Sequence, residues 1–249
     1  MSKSLSIGGF CIVLCLLASV HGALGETSVA TAASYLELGD KFARQSDFGR
    51  AIGAYNVALQ FAADFAPAYF RRGLAHQALG DLPEALADYT RTIEIAPRSA
   101  EALANRANVR AMQQEVSKAF SDWASALEIN PRLTMVFYNR GNLRLNLGDI
   151  DAALADFDRA LQIDPRYAVA YNNRGIVKLG KQDMEGAIAD FNQAIKIDSR
   201  QPEPYANRGL VRLQQGKKIQ AERDIARSLA LRPSLKGFIE TRIGEITQR

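Results

Sequence analysis

The sequence predicts an all-α chain: an α-solenoid of six helix-turn-helix repeats closed by a C-terminal capping helix. Three observations predict it. A 34-residue period runs through most of the chain, apolar residues recur at steps of three and four within each period, and turn-forming residues separate the stripes. The 249 residues are 47% apolar, enough for one or two ordinary domains.

The first 25 residues stand apart from the period. Lys3 precedes an apolar run from Ile7 to Val20, and Ala23-Leu24-Gly25 precedes Glu26. A charged start, a short apolar stretch and a small-x-small site form the pattern of a secretory signal peptide, residues 1–25. The run holds roughly 14 residues against about 20 for a membrane span, so no transmembrane segment is expected in the mature chain. An uncleaved anchor is the other reading. No Cys stands where a lipid-anchor signal would need it. The protein is therefore expected to be exported, either periplasmic or secreted.

Cleavage also removes Cys11, Cys15 and His21, leaving His76 as the one histidine. Disulfides, thiolate metal sites and a cysteine nucleophile are then excluded, and a zinc site or Ser-His-Asp triad lacks its residues. No cofactor, metal or catalytic residue is expected, and the chain reads as a non-enzyme.

The period is carried by columns. A small residue recurs as Gly39, Gly73, Ala107, Gly141, Gly175 and Gly209, followed twelve positions later by Ala51, Ala85, Ala119, Ala153, Ala187 and Ala221. Four further on stand Tyr55, Tyr89, Trp123, Phe157, Phe191 and Ile225. Pro97, Pro131, Pro165 and Pro233 close four units, with Ala63 and Ser199 at that place in the other two. These columns resemble the tetratricopeptide repeat family over residues 32–235. The resemblance divides the chain into repeats at 32–65, 66–99, 100–133, 134–167, 168–201 and 202–235, with a capping helix at 236–249. It implies a right-handed superhelix whose first helices line a concave groove, and a role in protein–protein interaction.

Local chemistry gives each element a reason. In the fifth repeat, Met184, Ala187, Ile188, Phe191, Ala194 and Ile195 form one apolar stripe, Tyr171 to Gly180 forms another, and Gly180-Lys-Gln-Asp183 makes the turn. In the second, Asp81 is placed to cap, Pro83 sits in a tolerant first turn and Glu84 completes a capping box. Leu235, Phe238, Ile239, Ile243 and Ile246 mark the terminal capping helix. Helices this short are marginal alone, so each depends on its neighbours. Gly or Ala in the small column is expected where two helix backbones approach closely; otherwise Gly costs about 1 kcal/mol in a helix.

Two columns covary. Arg72, Arg106, Arg140, Arg174 and Arg208 precede the small residue, and Asp88, Asp122, Asp156, Asp190 and Asp224 lie sixteen positions beyond each. The first repeat has Leu38 and Ala54 and lacks both. An ion pair within each repeat is expected; an arginine row that binds anions is the functional alternative. A third column, Asn105, Asn139, Asn173 and Asn207, resembles the amide ladder with which some family members hold an extended peptide. Equally, each amide could serve only to bond an adjacent helix.

By the family's geometry the groove wall would include Phe70, Leu74, Met112, Met135, Tyr138, Leu145, Ile176, Leu179, Leu210 and Leu213. Asn108, Asn142, Asn146 and Asn172 fall among them, with sparse charge at Asp40, Arg44, Glu101 and Glu203. Such a wall suits a peptide or a partner's helix, while packing between repeats is the plainer use of the same residues. A clamp for acidic chain ends, known in related chaperone cofactors, is represented only by Arg71. Residues 208–249 hold ten basic and four acidic residues, a net of +6. That end invites peripheral contact with an anionic surface, or is a solvated face. Nucleic acid is not expected, because aromatics are not interleaved with these charges. The leading reading is a binding scaffold; the alternative is a structural subunit of a cell-envelope assembly docking through its ends or its basic C-terminal face.

Overall fold

The computed structural model describes residues 28–248, so the expected signal peptide at 1–25 lies outside the described residues. Those residues form thirteen α-helices and one 3-10 turn, with no strand. They fall into two compact units, one ending at Ile129 and one beginning at Asn130.

The first unit holds three helical hairpins: α1 (28–44) with α2 (Phe48–Phe61), α3 (Ala66–Leu79) with α4 (Leu82–Ile95), and α5 (Ala100–Met112) with α6 (Val116–Ile129). The second holds α7 (Thr134–Asn146) with α8 (Ile150–Ile163), α9 (Ala168–Gly180) with α10 (Met184–Ile197), and α11 (Pro202–Gln214) with α12 (Lys218–Leu231). A 3-10 turn, Pro233–Leu235, then leads into α13 (Lys236–Thr247). Within each unit the second helix of one hairpin packs on the first helix of the next.

Helix ends explain the regular hairpins. The turn residues Ser46, Gly80, Gln114, Gly148, Gln182 and Gly216 all have positive φ, between 59° and 86°. The residue after each one donates its amide back to a carbonyl five positions earlier, as from Asp149 to Arg144 and from Asp183 to Lys178. This is the left-handed stop that ends helices most cheaply with Gly. Side chains of Asp47, Ser99, Asp149 and Asp183 cap the helices that follow. Asp81 corrects the sequence reading: it makes no capping hydrogen bond, and its carboxylate lies 3.3 Å from His76 Nδ1.

The core is a repeated wedge. The six alanines from Ala51 to Ala221 are fully buried, and Tyr55, Tyr89, Trp123, Phe157 and Phe191 are buried beside them. The small column answers to these rings rather than chiefly to a neighbouring backbone. A Cβ on Gly175 would stand 2.6 Å from Phe191 Cε1, and one on Gly141 3.0 Å from Phe157 Cε1. At Gly209 the neighbours are Ile225 Cγ1 at 3.0 Å and the Ala221 carbonyl at 3.2 Å, so here backbone is met as well. Burying one large ring in each of the first five hairpins, at about 25 cal/mol per Å² of apolar surface, is a large return on closing each pair.

Candidate functional site

Five aspartates sit in the repeat interiors, each about 3–5% exposed. A carboxylate that deep needs partners. The second helix carries it, and the first helix brings a guanidinium across in fork geometry. Arg140 Nε and Nη2 donate to Asp156 at 3.0 and 2.7 Å, and Arg174 to Asp190 at 2.8 and 2.6 Å. Arg72 with Asp88, Arg106 with Asp122 and Arg208 with Asp224 repeat the arrangement. Hydrogen bonding to Asp190 pushes the Arg174 guanidinium further above its ordinary range, and Asp88 does so for Arg72.

A second cation completes most of these sites and was missed in the sequence. Arg110, Arg144, Lys178 and Arg212, three positions beyond the small residue, lie 2.6–2.8 Å from the same aspartates. The signal was present as a basic column, broken by His76 and Phe42. The first guanidinium also reaches the preceding hairpin: Arg72 Nη1 donates to Asn56, Arg174 Nη1 to Asp158 and Arg208 Nη1 to Asn192. Its plane stacks on an aromatic residue three positions earlier, as with Arg174 over Tyr171 and Arg208 over Tyr205. So engaged, these arginines are built into the packing.

The amide column divides. Asn105 donates to the Glu101 carbonyl of its own helix. In the second unit the amides join one another: Asn173 donates to Asn142 Oδ1 at 2.7 Å and to the Tyr138 hydroxyl at 3.3 Å. Asn172 donates to Asn173 at 3.1 Å and accepts from Asn207 at 2.9 Å. Three first helices are thereby strapped by side-chain amides. Asn108 accepts from Trp123 Nε1 at 3.1 Å, holding the indole inside its repeat. Asn139 likewise has an interaction partner.

Several residues assigned to a groove wall also pack between helices, where they are partly buried. Phe70 lies against Tyr89, and Leu74 joins the same cluster. Tyr138 sits between Phe157 and Tyr167, with Leu145 beside it, and Asn172 is buried. The reason is that a first-helix face must cover the next hairpin before it can face solvent. Met112 and Met135 remain about 60% exposed, at 63% and 60%. The basic end is also less free than its count suggests, since Arg208 and Arg212 both serve Asp224 and Arg232 pairs with Glu203. In the first unit, where repeat one lacks the ion pair, the Tyr55 hydroxyl donates to Asp40 at 2.8 Å, and Arg71 stands 3.5 Å from that carboxylate.

One cleft in the second unit brings together three exposed apolar side chains, Ile176, Met184 and Phe238. It measures about 830 Å³ and is bounded by α9, α11 and α13. Ile176 and Leu179 form one wall, Leu210, Val211 and Gln214 the floor, and Phe238, Arg242 and Ile246 the other wall. A smaller space of about 350 Å³ adjoins it past Phe238, edged by Asn172, Asn173 and Asn207. The terminal helix therefore does more than cap: Ile239 is buried and anchors it, while Phe238 faces the opening. Among the described residues no cluster of His, Cys, Asp and Glu could hold a metal ion, and no helix is long and apolar enough to cross a membrane.

Strapped helical hairpins with buried charge inside and an open cleft on their first helices define an α-helical repeat scaffold. The tetratricopeptide repeat model matches residues 66–99 and 135–167, and a second TPR repeat model matches 179–216. The chain carries tetratricopeptide repeats in an all-α fold, a fold of protein–protein interaction scaffolds. Comparison with curated proteins gives no significant sequence match. Among solved structures, PilF of Pseudomonas aeruginosa is 14% identical with a TM-score of 0.77, over 89% of this chain and 99% of that one. PilW, a type IV pilus biogenesis factor, is 18% identical with a TM-score of 0.72, over 80% and 92%. YrrB, a TPR protein with an unusual peptide-binding site, is 22% identical with a TM-score of 0.54, over 68% and 88%. At these identities the likeness establishes the fold alone.

Proposed function

We propose that this chain is an exported, non-enzymatic scaffold that takes an extended peptide or a partner's helix on the first-helix face of its second unit. The observation that carries the reading is the three-sided cleft, apolar on its walls and edged by amides. Its size falls in the range of ligand-binding pockets, and mixed apolar and amide lining suits a peptide's side chains and backbone together. Inward engagement of Arg208 and Arg212 weighs against docking through a basic C-terminal face. Export rests on the leader-like first 25 residues, and sharing a fold with a pilus biogenesis factor is compatible with it.

Panning a displayed library of short random peptides tests the reading. Wild type and Ile219→Glu, which changes an exposed residue of α12, should enrich the same binders. Ile176→Glu should lose them at unchanged melting temperature. Binders indifferent to Ile176→Glu would remove the cleft from consideration. For export, the protein purified from its native host should begin at Glu26.

A further inference from the structure

The charge in the cleft is one-sided. Arg242 is the single charged side chain along its lining; the rest are aliphatic, aromatic or amide. Arg242 is already paired with Glu245 on its own helix, yet both are about half exposed, at 51% and 53%. A surface pair of this kind contributes little, so the guanidinium can exchange Glu245 for another carboxylate at small cost. One helical turn earlier, Phe238 is 52% exposed and shares the cleft with Ile176, itself 38% exposed. An aromatic and an arginine beside an apolar floor are the residue types that dominate binding energy at interfaces.

We infer that the cleft selects a partner segment pairing an apolar side chain, seated between Phe238 and Ile176, with an Asp or Glu that meets Arg242. This rests on the cleft being the binding surface. Arg242 lies four positions beyond Phe238 on α13, about 6 Å along the helix. The ligand's own pair must match that span, at i and i+2 if extended or i and i+4 if helical. A basic segment is disfavoured because the cleft lining holds no acid, and Glu203 in the adjoining space is already paired with Arg232. Ile239, buried at 1% exposure, holds α13 in place as a wall.

The test uses the full chain and synthetic copies of the panned peptides. Enriched sequences should carry an acid two or four positions from an apolar residue. Arg242→Glu should weaken them about tenfold or more and favour Lys or Arg in a fresh selection. Raising salt from about 0.05 M to about 0.5 M should weaken binding to wild type far more than to Arg242→Ala. Phe238→Ala should weaken every binder; tighter binding would show that α13 competes for the cleft and would overturn the assignment. Peptides lost on Ile176→Glu yet indifferent to Arg242→Glu would sink the acidic preference and leave the cleft standing. Failure to enrich any peptide sensitive to Ile176→Glu removes both.

Discussion

Arg140 and Asp156 meet through two parallel hydrogen bonds of 3.0 and 2.7 Å, with Arg144 donating to the same carboxylate at 2.8 Å. The aspartate is the hub of the three. Asp156→Ala strands two guanidiniums and should cost about 3–5 kcal/mol. Arg140→Ala leaves Arg144 in place and should cost less, about 1.5–3 kcal/mol. Urea melts of both variants and of the double should show losses that fall short of additive by about 0.5–3 kcal/mol. Strict additivity would mean that the fork contributes no coupling.

Gly175 offers a graded test of the ring wedge. Gly175→Ala drives a methyl to within 2.6 Å of Phe191 Cε1, whereas Gly141→Ala meets Phe157 at 3.0 Å. Overpacking of this kind costs about 1–3 kcal/mol. The order should be Gly175→Ala worse than Gly141→Ala, although Ala is otherwise the better helix former. Pairing Gly175→Ala with Phe191→Leu should recover part of the loss, read from denaturant midpoints.

The forks were legible in the sequence because the same constraint is written several times over, so Arg174 and Asp190 announce one another through their copies; the small column was legible as a place of close approach, but not that a ring such as Phe191 fills it. The second cation at Lys178 was harder to see, since one lysine interrupts three arginines there and His76 and Phe42 depart from the pattern. How the groove-wall residues divide could not be read from the sequence for a geometric reason: a first helix serves two masters on nearly the same face, so Ile176, Leu179 and Leu210 line the cleft while others also pack on the next hairpin. Phe70 and Tyr138 are partly buried in packing, and only tertiary contact decides which residues are. The position of α13 was invisible, because an amphipathic terminal helix does not encode which of its neighbours it will lean on.

Tyr55 and Tyr89 make stability depend on alkaline pH. Burial pushes both phenols above their ordinary value, aided at Tyr55 by its hydrogen bond to Asp40 and at Tyr89 by the charge of Asp88. An unfolded phenol ionises near pH 10, before the folded one does. Stability is then full below about pH 10 and falls as pH rises beyond it, because the unfolded chain gives up its protons first. The phenolate absorbance that wild type shows beyond a Tyr55→Phe/Tyr89→Phe variant should appear only together with loss of helical circular dichroism. Replacing both by Phe should flatten the alkaline fall in melting temperature.

Asn172 is the middle link of the amide strap, donating to Asn173 and accepting from Asn207 while largely buried. Asn172→Ala leaves an acceptor on one side and a donor on the other without their partner. The expected loss is about 1–3 kcal/mol, the usual cost of a buried polar group left unmatched. Asn207→Ala removes an end of the chain and should cost less. Combining the two should add little to Asn172→Ala alone, because their shared bond is already gone. Asn105 is the control: it is bonded only to its own helix carbonyl on an exposed face, so Asn105→Ala should stay within about 0.5 kcal/mol of wild type. Equal losses at Asn105 and Asn172 in urea titrations would mean that the amides act singly on their own helices and do not strap the hairpins together.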